Sequence, residues 1–185
     1  LVLATKNPDN AGEMRSVLLR LIPDVEVVDG LDWDDVAETG ATLEENAVLK
    51  AQAVSSATGL PALADDTGLE VDALDGAPGV RTARFAGPAA TYAENRAALL
   101  AALSEEVDRR ARFRTVVALA DADTLVTASG TVEGSIALNE RGGGGFGYDP
   151  IFEVEGRTLA EMGVAEKNTL SHRARALEAL ARKLR

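Results

Sequence analysis

The chain has no cysteine, one histidine, two methionines and few aromatic residues, and its basic side chains are far outnumbered by acidic ones. Without cysteine there are no disulfides and no thiolate metal sites, which fits a reducing cytoplasm. A single histidine, His172, excludes a multi-histidine metal centre, so any bound metal must take oxygen ligands, as Mg²⁺ or Mn²⁺ does. The balance of 30 acidic against 19 basic residues gives a net charge of −11. That argues against a general nucleic-acid binder or a partner of anionic membranes, since neither polyanion is attracted at long range. No apolar run approaches the roughly 20 residues needed to cross a bilayer, and Leu1-Val-Leu-Ala4 reads as a strand, not a signal peptide. A Ser–His–Asp hydrolase is disfavoured as well, because no Gly-x-Ser-x-Gly elbow is present.

What is there suits one domain: 185 residues, 46% hydrophobic and 26% charged, are enough for a sizeable core. The stretch from Ala64 to Gly87 organises the rest. Pro61–Ala64 reads as a buried strand ending in two adjacent carboxylates, Asp65 and Asp66, followed by Thr67-Gly68. Acids where a strand gives way to a loop sit at the rim where open α/β sheets bind ligands. Neighbouring strand residues point to opposite faces, so one Asp can enter a cleft while the other anchors the loop. An acidic hairpin that merely tolerates water would read the same way.

Upstream, the polar turn Thr5-Lys6-Asn7-Pro8-Asp9-Asn10 precedes apolar positions Met14, Val17, Leu18 and Leu21 at helical spacing. Such a turn aims backbone N–H groups outward, which suits a phosphate; an ordinary connection capped by Asp9 or Asn10 fits equally. Val25–Val28 reads as a second strand, and Asp29–Gly40 as an acidic loop containing Trp33 and Glu38. Thr42 and Glu45 form a capping box opening an alanine-rich helix, on which Asn46 and Lys50 share a face. The runs Phe113–Ala120 and Thr124–Val132 suggest an antiparallel hairpin. Downstream, Arg141-Gly-Gly-Gly-Gly-Phe-Gly-Tyr-Asp-Pro150 combines a permissive backbone with Phe146, Tyr148 and Asp149, able to grip a flat heterocycle; flexible linkers also carry glycine runs. Leu170–Leu184 is the closing amphipathic helix, with Ser171 at its start.

Four segments in one order, namely Thr5-Lys6-Asn7, Glu45-Asn46-Ala47 with Lys50-Ala51, Ala64–Gly87, and Gly145–Pro150 with Glu166-Lys167 and Ser171-His172-Arg173, resemble the Ham1/RdgB family of inosine/xanthosine triphosphate pyrophosphatases from end to end. The blocks ADDTGLEVDALDGAPG and GFGYDPIF carry most of the specificity. The resemblance implies an α/β fold with a mixed elongated sheet, helices on its faces and two lobes around a central cleft, and a homodimer. It implies Mg²⁺-dependent hydrolysis (Mn²⁺ as a substitute) of ITP, dITP and XTP to the monophosphate and pyrophosphate. Asp66 matches the catalytic acid and metal contact, and Glu38 the metal-binding glutamate, with Asp65 a further candidate ligand. Substrate contacts are expected from Thr5, Lys6, Asn7, Pro8, Asp9, Asn10, Lys50, Thr67, Phe146, Gly147, Tyr148, Asp149, Lys167, His172 and Arg173. Two positions depart from the family pattern: Thr67 stands in place of the usual Ser, and Asn10 in place of the phosphate-loop lysine. Loss of that cation leaves two other readings open, a nucleotide-binding regulator without turnover and a Maf-like pyrophosphatase of other nucleotides.

Overall fold

The computed structural model describes residues 1–184 and shows a mixed α/β protein with a seven-stranded open sheet. In chain order the elements are β1 (Val2–Leu3), α1 (Pro8–Leu21), α2 (Leu43–Thr58), β2 (Ala62–Val71), β3 (Pro78–Gly79), α3 (Tyr92–Ala102), β4 (Arg110–Ala120), β5 (Leu125–Ile136), β6 (Phe152–Val154), β7 (Arg157–Thr158), α4 (Val164–Leu170) and α5 (His172–Lys183). The strands follow the order β1-β2-β4-β5-β6-β7, with β3 paired to β2. Two compact units divide the chain. The first comprises Leu1–Asp66, Thr115–Thr131 and the residues from Ser171 onward; the second comprises Thr67–Arg114 and Val132–Leu170. Strands β2, β4 and β5 each contribute residues to both.

In the first unit β1 runs parallel to β2 with Leu3 opposite Leu63, an arrangement that needs a long crossover, here carrying α1 and α2. Met14, Val17 and Leu18 of α1 meet Leu3, Leu63, Val117, Leu177 and Leu180 in one core cluster. Each such side chain contributes about 1.5–3 kcal/mol on full burial. Helix α5 lies hard against β5: a Cβ on Gly130 would fall 2.3 Å from the Ala176 amide nitrogen and the His172 carbonyl oxygen. Only glycine lets the two backbones approach so closely. Ser171 caps α5 by accepting the Ala174 N–H at 3.1 Å, and Thr42 with Glu45 forms the expected capping box of α2.

Three local expectations change here. Helix α1 is capped by Asn7, not Asp9 or Asn10: its side chain accepts both of their N–H groups, and Pro8 takes the first helical position, where a missing donor costs nothing. Val25–Val28 is not a paired strand; Val28 makes one isolated parallel bridge to Val2, which leaves too short a ladder. Most important, β2 does not stop at Ala64. It continues through Asp65, Asp66, Thr67 and Gly68 to Val71. Its pairing with β1 ends at Leu63, but β4 is its neighbour on the other side, and that pairing overrides the poor strand propensity of Asp and Gly.

In the second unit Leu69, Val71, Leu99, Leu103, Phe113, Ile136, Tyr148, Phe152 and Leu159 form the core. The rings of Phe113 and Phe152 lie 4.6 Å apart, tilted by 53°, a favourable aromatic geometry. Thr91 with Glu94 caps α3, and Thr158 with Glu161 caps a 3₁₀ turn at Leu159–Glu161. Helix α4 is an element that the sequence reading did not foresee, since its seven residues carry too short an apolar period to register. Among the described residues no helix is long and apolar enough to cross a membrane.

Candidate active site

Residues of the first unit build a charged cluster on β2. The alternation of a strand sends Asp66 to one face, where α2 offers two side chains four residues apart. Asn46 Nδ2 donates to Asp66 Oδ2 at 3.1 Å and Lys50 Nζ to Asp66 Oδ1 at 3.2 Å. The same ammonium donates to Glu38 Oε1 at 2.9 Å. Asn46 is itself fixed: fully buried, it accepts the Gly40 N–H at 2.8 Å, which settles the direction of its amide. Burial pushes the Asp66 carboxyl above its ordinary value, and nearby Glu38 adds to that, outweighing the opposing pull of Lys50 and Asn46. For Lys50, burial works downward, but the charges of Asp66, Asp65 and Glu38 together hold its ammonium above the usual value.

Asp65 faces the other way. Arg173 Nε donates to Asp65 Oδ2 at 2.9 Å and Arg173 Nη1 to Glu13 Oε2 at 2.7 Å, all three side chains being buried. A third donor, Nη2, reaches Asn10 Oδ1 at 3.4 Å. Burial opposes the charge on Arg173, yet the two carboxylates lift its pKa further. Arg173, expected to meet substrate, and Asp65, expected among the metal ligands, are thus bonded to each other, with Glu13 as the second carboxylate on Arg173. Glu13 was not singled out from the sequence, where an acid in a helix looks like an ordinary solvated residue. His172, also buried, has Nδ1 2.6 Å from the Thr115 hydroxyl. In the first turn, Thr5 Oγ1 accepts the Asn7 N–H, and Lys6 Nζ donates to Asp35 at 2.7 Å.

The donor chemistry fits a hard divalent cation with few protein ligands. Glu38 and Asp66 present oxygens to a single cationic point, now the Lys50 ammonium, and such a pair suits an ion that keeps several waters. Among the described residues no group of three or more His, Cys, Asp or Glu side chains is disposed to hold a metal.

The second unit holds the aromatic cluster. Asp149 Oδ2 accepts the Phe146 N–H and the Lys167 ammonium, each at 2.8 Å. Lys167 Nζ also sits 4.5 Å from the Phe146 ring centroid, a cation–π distance. Tyr92 packs 6.2 Å from the same ring. Gly145 adopts φ +69°, and a Cβ there would lie 2.1 Å from Asp149 Oδ2, so this glycine is demanded twice over. Tyr148 is buried and donates its hydroxyl to the Thr82 carbonyl at 2.9 Å; burial raises its pKa. Arg96 holds the Gly147 carbonyl at 2.8 Å. Through its bond to Thr82, Tyr148 anchors the loop. Thr67 lies on β2, directly after Asp66.

Fold and side chains together define a mixed α/β protein built on a two-carboxylate, one-lysine site, with a separate aromatic and acid–lysine cluster. A model of the Ham1 family matches residues 1–183, and the chain belongs to that family. It is 50% identical over 187 residues to a "dITP/XTP pyrophosphatase" of Porphyromonas gingivalis, covering 97% of this chain and 94% of the relative. It is also 50% identical to a protein of that name from Xanthomonas axonopodis pv. citri, covering 100% and 96%. Among solved structures, the Staphylococcus aureus Ham1 protein superposes with a TM-score of 0.86 at 38% identity, covering 99% of this chain and 96% of that one. A HAM1 protein from Coxiella burnetii gives 0.83 at 42% identity over 99% and 96%.

Proposed function

We propose that the protein hydrolyses non-standard purine nucleoside triphosphates (ITP, dITP and XTP) to the nucleoside monophosphate and pyrophosphate, with Mg²⁺ held by Glu38 and Asp66. The observation that carries the reading is the convergence of Glu38, Lys50 and Asp66 on one point in a chain half identical to proteins named dITP/XTP pyrophosphatases. When bound, Mg²⁺ supplies charge neutralisation on the phosphate oxygens and a more acidic water. The other work falls to side chains. Asp66 orients a water for in-line attack on the α-phosphorus and takes its proton. The new P–O bond forms as the α–β bridging P–O bond breaks, and pyrophosphate leaves with that electron pair. Lys50 neutralises the departing charge, and Asn46 keeps the Asp66 carboxylate aimed. A carboxyl raised by burial is a better base than a free one, which favours this assignment.

For the base, Phe146 supplies a stacking face, and the Phe146–Asp149–Lys167 network fixes that ring. Inosine and xanthine carry an oxo acceptor at the 6-position where adenine has an amino donor. N–H donors facing that position favour the first, and a buried mismatch costs about 1–3 kcal/mol. The reading extends to a homodimer acting in the cytoplasm. Pyrophosphate release measured across ITP, XTP, dITP, UTP and GTP tests it: ITP, XTP and dITP should lead, and comparable UTP turnover would refute the purine assignment. Tight ITP binding with no release would make the protein a regulator instead.

A further inference from the structure

Strand β4 carries a polar residue where its pattern asks for an apolar one. Phe113, Thr115 and Val117 lie two apart and so share a face of the strand, and all three are buried. Valine would occupy the place of Thr115 with nearly the same shape, so what threonine adds is a hydroxyl. A buried hydroxyl needs a partner, and this one lies 2.6 Å from Nδ1 of His172, the chain's only histidine. The histidine is held on its own side as well. Ser171 caps the helix that His172 begins, and the His172 carbonyl packs against β5 at Gly130. The length of the bond separates donor from acceptor. An N–H donor reaches oxygen at roughly 2.7–3.2 Å, whereas O–H donors make shorter bonds. At 2.6 Å, the contact suits Thr115 donating to a bare Nδ1.

We propose that Thr115 is a specificity-determining residue: by donating to Nδ1 it places the single proton of the neutral His172 ring on Nε2. The inference rests on the purine triphosphate reading above and on His172 being one of the substrate contacts. Thr115 itself is a positioning residue that acts through the imidazole. An Nε2–H is a donor, which suits the 6-oxo acceptor of inosine and xanthine and is opposed by the 6-amino donor of adenine. With the proton on Nδ1 instead, Nε2 would be an acceptor and the preference would reverse. One strand hydroxyl thus sets the sign of base choice at the far ring nitrogen.

The test is long-range ¹H–¹⁵N NMR of the imidazole, where a lone histidine makes the assignment unambiguous. In the unliganded parent and in Thr115→Ser, Nε2 should be protonated and Nδ1 bare. Inosine monophosphate should move the Nε2–H resonance, and adenosine monophosphate should leave it in place. Thr115→Val, checked for folding by circular dichroism, removes the hydroxyl and frees the choice of nitrogen. Its preference for ITP over ATP, read as the ratio of kcat/KM values, should fall about tenfold, the weight of one unmade buried hydrogen bond. Thr115→Ser should keep the parent's ratio. A parent proton on Nδ1 or on both nitrogens would overturn the proposal. So would an Nε2–H unmoved by inosine monophosphate, or an unchanged ratio in Thr115→Val. Should Thr115→Val fail to fold, the parent and Thr115→Ser spectra with the two monophosphates still decide. A parent whose Nε2–H answers inosine monophosphate but which leaves ITP intact would refute the catalytic reading and keep the role of Thr115.

Discussion

Of the lysine–aspartate pairs in this molecule, Lys167–Asp149 and Lys50–Asp66 have opposite characters. Lys167–Asp149 spans 2.8 Å with side chains 9% and 5% exposed, and Asp149 is further satisfied by the Phe146 N–H. Lys50–Asp66 is longer, at 3.2 Å, and Lys50 is shared with Glu38 from an irregular segment. In the first pair a lysine shapes a loop. In the second, two carboxylates compete for one cation, so the arrangement can be exchanged for another cation at modest cost. Burial with full satisfaction makes a scaffold, and burial with competing partners makes a reactive site.

The contrast is sharpest in turnover. Asp66→Asn should reduce pyrophosphate release by about 10²–10⁴-fold, the usual weight of a positioned general base, with circular dichroism unchanged. Normal turnover would remove Asp66 from its role. Lys167→Met should instead act on stability, since it strands a buried carboxylate; a loss of about 3–5 kcal/mol is expected from denaturant unfolding. An unaltered midpoint would mean that Asp149 finds another partner. Gly145→Ala forces a β-carbon into the Asp149 carboxylate and strains a left-handed backbone, at about 1–3 kcal/mol. Its kinetic mark should be a raised KM for ITP with tripolyphosphate affinity unchanged, and equal losses for both ligands would contradict that separation.

The smallest effect concerns pH. The folded Asp66 pKa lies above its ordinary value, so its contribution to stability is complete only below the unfolded pKa and is lost as pH rises through the folded one. Asp66→Asn should therefore be slightly more stable than the parent at neutral pH without metal, and the gain should fade as the pH drops towards 4. A variant that is less stable at neutral pH would show that the ionised carboxylate holds the fold together.

Much of the molecule was legible from the chain. The Thr42 capping box and the place of Ser171 at the start of α5 follow from side-chain chemistry close in sequence, and so they read correctly. The opposite facing of Asp65 and Asp66 follows from strand alternation alone. What escaped is long-range. Nothing near Ala64 shows that β2 continues through its acids, because the neighbouring strand β4 decides that. The pairing of Arg173 with Glu13 and Asp65 spans most of the chain, and Glu13 by itself resembles a surface charge. The Lys6–Asp35 contact was equally invisible, since it depends on where an irregular segment comes to rest.

The central claim is that Glu38 and Asp66 hold a divalent cation through which a chain of net charge −11 accepts a triphosphate. Product analysis of ITP cleavage, with Mg²⁺ titrated in after chelation, tests this most directly. The account predicts inosine monophosphate and pyrophosphate in equal amounts, appearing only as Mg²⁺ is restored. Full-rate cleavage in chelator, or orthophosphate as the first product, would contradict it.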